Sequence, residues 1–243
     1  MFDKHLTRRS LLRGAAAAGL AAVAAPYILP ASARGAEEAK PIFNGKDLTD
    51  WDGNPDFWSV QDGAITGITT KEKPTQGNTF CVWRGGTPKD FEFRTMFWLV
   101  NHNSGVQYRS KCRDNDKGKW VMSGYQADMD ESNSYTGGLY EEGGRGILAL
   151  PGQKVEIGED GKPKVTATLV EPKDAKALVK KEWNEYIIIA KGNHLVQKLN
   201  GTVTVDLTDN DEKHRAMEGL IGLQLHAGQP MKVLFKDITL KTL

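Results

Sequence analysis

The chain has 243 residues, 32 Lys/Arg against 31 Asp/Glu, and two cysteines. Charge this close to balance argues against a nucleic-acid partner, which needs a clustered basic excess to neutralise phosphates. Two cysteines cannot make a disulfide scaffold or a four-thiolate zinc site, so a hydrophobic core must hold the fold together.

The first predicted element is a targeting segment. Thr7-Arg8-Arg9-Ser10-Leu11-Leu12-Arg13 is a twin-arginine pattern, followed by an Ala/Gly/Leu-rich run to Leu29 and an A-x-A site at Ala31-Ser32-Ala33. A retained anchor is the weaker reading because the run is alanine-rich and short for a bilayer. Removing residues 1–33 leaves 28 basic and 30 acidic residues, a formal charge of −2. The expectation is one domain over 34–243, exported already folded to the periplasm or beyond, with no stable membrane insertion after cleavage. Oligomeric state is not legible.

From Pro41 the chain reads as strand after strand. Phe57–Val60, Ala64–Ile68, Thr79–Trp83, Phe91–Val100, Val106–Ser110 and Trp120–Asp130 are punctuated by turn signals at Asp62-Gly63, Gly85-Gly86, Asn103-Ser104-Gly105 and Ser123-Gly124. Between Pro151 and Lys181 the composition shifts to Lys, Glu, Gly and Pro. This reads as a solvated excursion with a hairpin tip at Glu159–Lys162 and one short helix, Asp174–Val179. Strands resume at Trp183–Lys191 and His194–Leu199. Asn200-Gly201 marks a two-residue hairpin into Thr202–Leu207, and Gly219–His226 and Met231–Leu240 close the set. The class is an all-β sandwich of antiparallel sheets. Cys81 and Cys112 both fall in strands, where a single disulfide is open and unpaired thiols are favoured.

Three of these runs carry the chemistry. Val106 and Tyr108 alternate with Gln107 and Arg109; Tyr125, Ala127 and Met129 with Gln126, Asp128 and Asp130; Leu223 and Leu225 with Gln224 and His226. If the three strands share a sheet, one surface gathers an arginine, an aspartate, a histidine and several amides. A solvated sheet face is the plain alternative, but such faces favour Lys, Glu and Thr over this mixture.

Several segments, in this order and spacing, resemble the 3-keto-disaccharide hydrolase family: F-N-G-K-D-L-T-D-W (Phe43–Trp51), N-S-G-V-Q-Y-R (Asn103–Arg109), G-Y-Q-A-D-M-D (Gly124–Asp130) and T-G-G-L-Y-E-E (Thr136–Glu142). W-N-E-Y (Trp183–Tyr186), L-N-G (Leu199–Gly201), G-L-I-G-L-Q-L-H-A-G (Gly219–Gly228) and V-L-F-K-D-I (Val233–Ile238) complete the set. The resemblance runs from about Pro41 to Leu243. It implies a concanavalin A-like jelly roll, a sugar or glycoside substrate on one sheet, and 3-keto-glycoside 1,2-lyase or 3-keto-2-hydroxyglucal hydratase activity.

That chemistry needs a base near neutrality for the C2 proton, an acid for the leaving oxygen, and a donor for the developing enolate. The candidates are Asp128 and Glu141 as carboxylates, His226 as alternative base or acid, and Arg109 as electrophilic stabiliser. Gln107, Gln126, Gln224 and His102 are candidate substrate-binding residues, with Tyr140 and Arg145 closing over the sugar. Many members carry Glu-x-Gln where this chain has Gln126-Ala127-Asp128, which moves the carboxylate role to Asp128. No cofactor is indicated. Asp128, Glu141, His102 and His226 have atoms that suit a divalent metal, but no metal-binding spacing among them.

Each residue also has a bland reading. Arg109 and Asp128 make a cross-strand ion pair, Glu141-Glu142 a solvated charge pair, Tyr140 a corner packing residue, Trp98 a core residue rather than a sugar platform, and His194 and His214 surface groups. At the level of the molecule the rivals are a non-catalytic carbohydrate-binding domain and an ordinary two-carboxylate glycoside hydrolase. The E-x-D-x-x-E strand signature of sandwich glucanases is absent here.

Overall fold

The computed structural model describes residues 38–113 and 119–243; the twin-arginine segment lies outside the described residues. The alternating runs become strands, in chain order β1 (Lys40–Pro41), β2 (Trp51–Asp52), β3 (Trp58–Gln61), β4 (Ala64–Ile68), β5 (Thr79–Trp83) and β6 (Phe91–Leu99). There follow β7 (Asn103–Cys112), β8 (Met122–Asp130), β9 (Leu139–Glu142), β10 (Gly146–Ala149), β11 (Gln153–Ile157) and β12 (Pro163–Thr168). A short helix α1 (Pro172–Ala177) precedes β13 (Asn184–Lys191), β14 (His194–Leu199), β15 (Thr202–Asp209), β16 (Leu220–Leu225) and β17 (Lys232–Thr242).

They form two sheets. The larger runs β12-β11-β15-β14-β13-β6-β17-β4-β3, with β1 flanking β17; the smaller runs β10-β9-β8-β7-β16-β5-β2. Every pairing is antiparallel except β11 with β15. This is a jelly-roll β-sandwich, as the turn-punctuated alternation predicts.

The core lies between the inner faces. Phe91, Phe93 and Phe97 of β6 and Tyr186 and Ile188 of β13 meet Val106 and Tyr108 of β7, Tyr125 and Ala127 of β8, and Leu223 and Leu225 of β16. Three buried tyrosines span this layer, and each hydroxyl has a partner. Tyr125 donates to Asp209 (2.6 Å), Tyr108 accepts from Gln197 (3.2 Å), and Tyr186 reaches across from the larger sheet to the Asp128 backbone carbonyl (3.2 Å). An unpartnered hydroxyl here would cost about 1–3 kcal/mol. The core is therefore registered, and one of its registers fixes the strand that carries Asp128.

The Pro151–Lys181 excursion is more ordered than its composition suggests. Val155 and Ile157 alternate with Lys154 and Glu156, so β11 buries one face and extends the larger sheet, while β12 is an exposed, lysine-bearing edge. The Glu159–Lys162 tip connects them. The helix starts at Pro172, earlier than expected, because proline is favoured in a first turn. Cys81 and Cys112 are both free, Cys81 in the core and Cys112 packed against a small cluster of Phe80, Val82 and Met122. No helix among the described residues is long and apolar enough to cross a membrane.

Candidate functional site

The outer face of the smaller sheet is where the polar halves of the alternating runs meet. Cross-strand register makes one row of Val82, Gly222, Gln107, Gln126, Tyr140 and Ile147, contributed by β5, β16, β7, β8, β9 and β10. In the next row Phe80 pairs with Gln224, and Gly105 pairs with Asp128. Gly105 is needed there, since a Cβ would sit 2.6 Å from the Gln126 side chain that lies across it.

This face holds a cavity of about 290 Å³ lined by Asn78, Asn103, Gln126, Asp128, Tyr135, Tyr140, Glu142, Ile147, Gln224 and His226. Its floor is an amide relay. Gln107 Nε2 points to Gln126 Oε1 (3.5 Å), and Gln126 Nε2 reaches both Gln224 Oε1 (3.4 Å) and Asp128 Oδ1 (3.1 Å). Gln107 Oε1 and Gln224 Nε2 are buried without partners. Buried amide atoms without partners are uncommon in folded proteins and mark this floor as polar beyond what packing needs.

Asp128 is the electrostatic centre. Burial raises its carboxyl to about 7 and the Asp130 charge adds to this, outweighing the hydrogen bonds from Gln126 and Asn103 that favour ionisation. Near neutral pH the group is therefore divided between acid and base.

His226 has its tautomer set. Its Nδ1 lies 2.6 Å from the Ala227 carbonyl oxygen, which also takes His102 Nε2 at 3.0 Å. A carbonyl only accepts, so both ring nitrogens carry hydrogen, and Nε2 of neutral His226 is the basic one. The two rings meet edge to face at 4.8 Å. His102 thus stands behind His226 rather than in the cavity. It adopts φ +69°, braced by the Glu131 carboxylate on its backbone N–H at 3.1 Å. Asn78 links this corner to the other carboxylate, accepting from the Ala227 N–H (3.0 Å) and pointing its amide to Glu142 (3.5 Å).

Of the sequence-predicted residues, Asp128, His226, Gln126, Gln224 and Tyr140 line the cavity and Gln107 underlies it. Arg109 does not join them. Register shifts between Tyr108 and Lys111, and Arg109 takes φ +47°. Its guanidinium turns inward to the Lys89, Gly192 and Ala216 carbonyls and to Asp90. The bulge breaks the alternation on which its placement rested. Glu141 is also on the opposite face from Asp128. Leu139 faces the core, so Tyr140 and Glu142 face the cavity, and Glu141 pairs in register with Tyr125. It binds Arg145 at 2.6 Å, and Arg145 also binds Asp209 at 2.7 Å and Asp211 at 3.3 Å. Arg145 therefore clamps the two sheets instead of covering the cavity.

Asp130 is likewise withdrawn, capping the turn that follows β8. Trp98 is neither in the core cluster nor at the cavity, but lies edge-on to Trp183 at 5.9 Å. His194 pairs with Asp206 and His214 with Asp211. Among the described residues no group of three or more His, Cys, Asp or Glu converges as a metal site.

Sequence reasoning missed Asn78, Asn103, Tyr135, Glu142 and Ile147. Glu142 was legible, since period two from Leu139 places it beside Tyr140. A larger cavity, about 890 Å³, lies beyond Glu142 and includes Arg109, Glu141 and Arg145. Those three are already engaged by partners within the protein, so the smaller cavity is the better chemical site.

Residues 38–241 match the family described as 3-keto-alpha-glucoside-1,2-lyase-like domain. Among curated proteins no sequence matches this chain. Solved structures share the fold. A candidate glycosyl hydrolase from Parabacteroides distasonis superposes with TM-score 0.55 at 22% identity, covering 85% of this chain and 100% of that one. Carbohydrate-binding module CBM66 from Bacillus subtilis gives 0.51 at 16% identity, covering 81% and 98%. A galectin-like protein of unknown function from Bacillus subtilis gives 0.53 at 14% identity, covering 80% and 90%.

Proposed function

Because the chain belongs to the 3-keto-alpha-glucoside-1,2-lyase-like domain family, which is carbohydrate-active and glycosyl hydrolase-like, we propose that it cleaves 3-keto-glycosides by elimination across C1–C2 and hydrates the product. The observation that carries this reading is a carboxyl held at about 7 on the floor of a cavity lined with amides. A C3 ketone acidifies the C2 proton, so a base of this strength suffices to remove it.

In this reading ionised Asp128 takes the C2 proton and the C2–H electron pair becomes the enolate. Amide N–H groups of the cavity wall stabilise its oxygen. Collapse of the enolate expels the C1 oxygen, which takes a proton from His226 Nε2–H in its protonated form or from Glu142. Water then adds at C1 and a proton returns to C2, completing net hydrolysis. Arg109, Glu141 and Arg145 take no part, since they lie away from this cavity.

Incubating the protein with a 3-ketoglucoside and with its unoxidised parent tests this, following the enone by ultraviolet absorbance and the aglycone by chromatography. Cleavage of the keto sugar alone is expected. Cleavage of the parent would make it an ordinary two-carboxylate hydrolase, and binding without cleavage of either would make it a carbohydrate-binding domain. We also propose export by the twin-arginine route to the periplasm or beyond, a reading supported by Thr7–Arg13 and the alanine-rich run that follows.

A further inference from the structure

The connection from β8 to β9 is built around one carboxylate. Asp130, at the end of β8, accepts the backbone N–H groups of Ser134 (3.2 Å), Tyr135 (2.7 Å) and Thr136 (2.9 Å) and the Ser132 and Thr136 hydroxyls. The loop closes on the strand that carries the base. The Gly137 N–H donates to the Asp128 carbonyl (3.1 Å), and the Asp128 N–H donates to the Gly138 carbonyl (3.0 Å). Asp128 and the loop thus form one framed unit.

That frame holds out a side chain that makes no hydrogen bond among the described residues. Tyr135 is 43% exposed, its hydroxyl has no hydrogen-bond partner among the described residues, and it lines the cavity. Ile147, 49% exposed, lines the same cavity and is the cross-strand neighbour of Tyr140. The cavity lining therefore combines apolar surface from Tyr135, Tyr140 and Ile147 with polar groups from the amides, Asp128 and His226. A pyranose has the same combination, with a face of C–H bonds and an edge of hydroxyls. An aromatic ring on a hydrogen-bonded backbone that leaves apolar surface in water gains from a ligand that covers it.

We propose that Tyr135 is the stacking platform for the sugar ring, a specificity-determining residue that presses the pyranose C–H face so that its hydroxyl edge meets the amide relay and Asp128. This rests on the reading of the cavity as a sugar site. Ring area, not the phenol hydroxyl, does the work.

The test uses Tyr135→Ala and Tyr135→Phe in the otherwise native protein. The readouts are kcat and KM on a 3-ketoglucoside, saturation-transfer NMR binding of methyl glucoside, and the urea unfolding midpoint. For Tyr135→Ala, KM and the methyl glucoside Kd rise about tenfold while kcat changes less than about threefold. Tyr135→Phe stays within about twofold of the native protein. Unfolding midpoints do not move, because the side chain is exposed. Unchanged KM and Kd in Tyr135→Ala, or equal losses in Tyr135→Phe, overturn the platform. If the native protein leaves the keto sugar intact while Tyr135→Ala loses methyl glucoside binding, the lyase reading fails and the platform stands.

Discussion

At the scale of the residue, Asp128 is a destabilising group whose proposed role is that of the base. An aspartate in an unfolded chain titrates near 3.9, whereas this one titrates at about 7. Between those values the folded state binds more protons than the unfolded, so the contribution of Asp128 to stability falls as pH rises from about 4 to about 7 and is then level. Asp128→Asn removes the charge without removing the amide-like shape. It is expected to stabilise the protein above pH 7, by on the order of 1–3 kcal/mol, with the gain fading toward pH 4. Urea unfolding of both proteins across that range is the measurement, and a difference independent of pH would show that the carboxyl is not raised by burial. The same variant should lose at least about a hundredfold in kcat/KM on a 3-ketoglucoside, while the native kcat/KM rises through pH 7 as the base ionises. Full activity in Asp128→Asn would remove it from the mechanism.

At the scale of the element, one half-buried arginine holds the hairpin of β9 and β10 to the end of β15. Arg145 meets Glu141 of the smaller sheet and Asp209 of the larger, with Asp211 beside them, and Tyr125 and His214 complete the network. Burial opposes the charge, but the Asp209 and Glu141 contacts raise the guanidinium further above its ordinary value, so it is charged throughout. Arg145→Met leaves three carboxylates facing one another in a partly dry site. The expected loss is about 3–5 kcal/mol in urea unfolding, partly recovered at low pH as the carboxylates protonate. Loss of sugar affinity with unchanged stability would instead put Arg145 at the substrate. Strands explain why this was hidden. Alternation placed Gln126, Asp128 and Gln224 correctly because β8 and β16 are regular there, yet it carried Arg109 to the wrong face because β7 bulges after Tyr108. A bulge has no marker in Tyr108-Arg109-Ser110 itself; it arises where two residues of one strand oppose Gly124 of the next, a fact of pairing.

At the scale of the whole molecule, the proposed export signal lies outside the described residues. Replacing Arg8 and Arg9 by lysine is expected to keep the protein in the cytoplasm, as cell fractionation would report; unchanged export would refute the twin-arginine route. The fold was legible because burial of one face leaves a period-two trace in every strand and turns demand Gly, Asn and Asp. Even β11 carried that trace, under a composition that suggested solvent. By itself, then, the sequence determined the all-β sandwich, the one short helix and the amide-bearing faces of β8 and β16, since these follow from local alternation and turn chemistry. Only the tertiary structure decided which groups share the cavity. It turned Arg109, Glu141 and Arg145 away from that cavity, brought in Asn78, Glu142 and Tyr135, and moved Asp128 toward neutrality. Proximity across strands and exclusion of water are properties of register and packing, and neither is written in the neighbours of a residue along the chain.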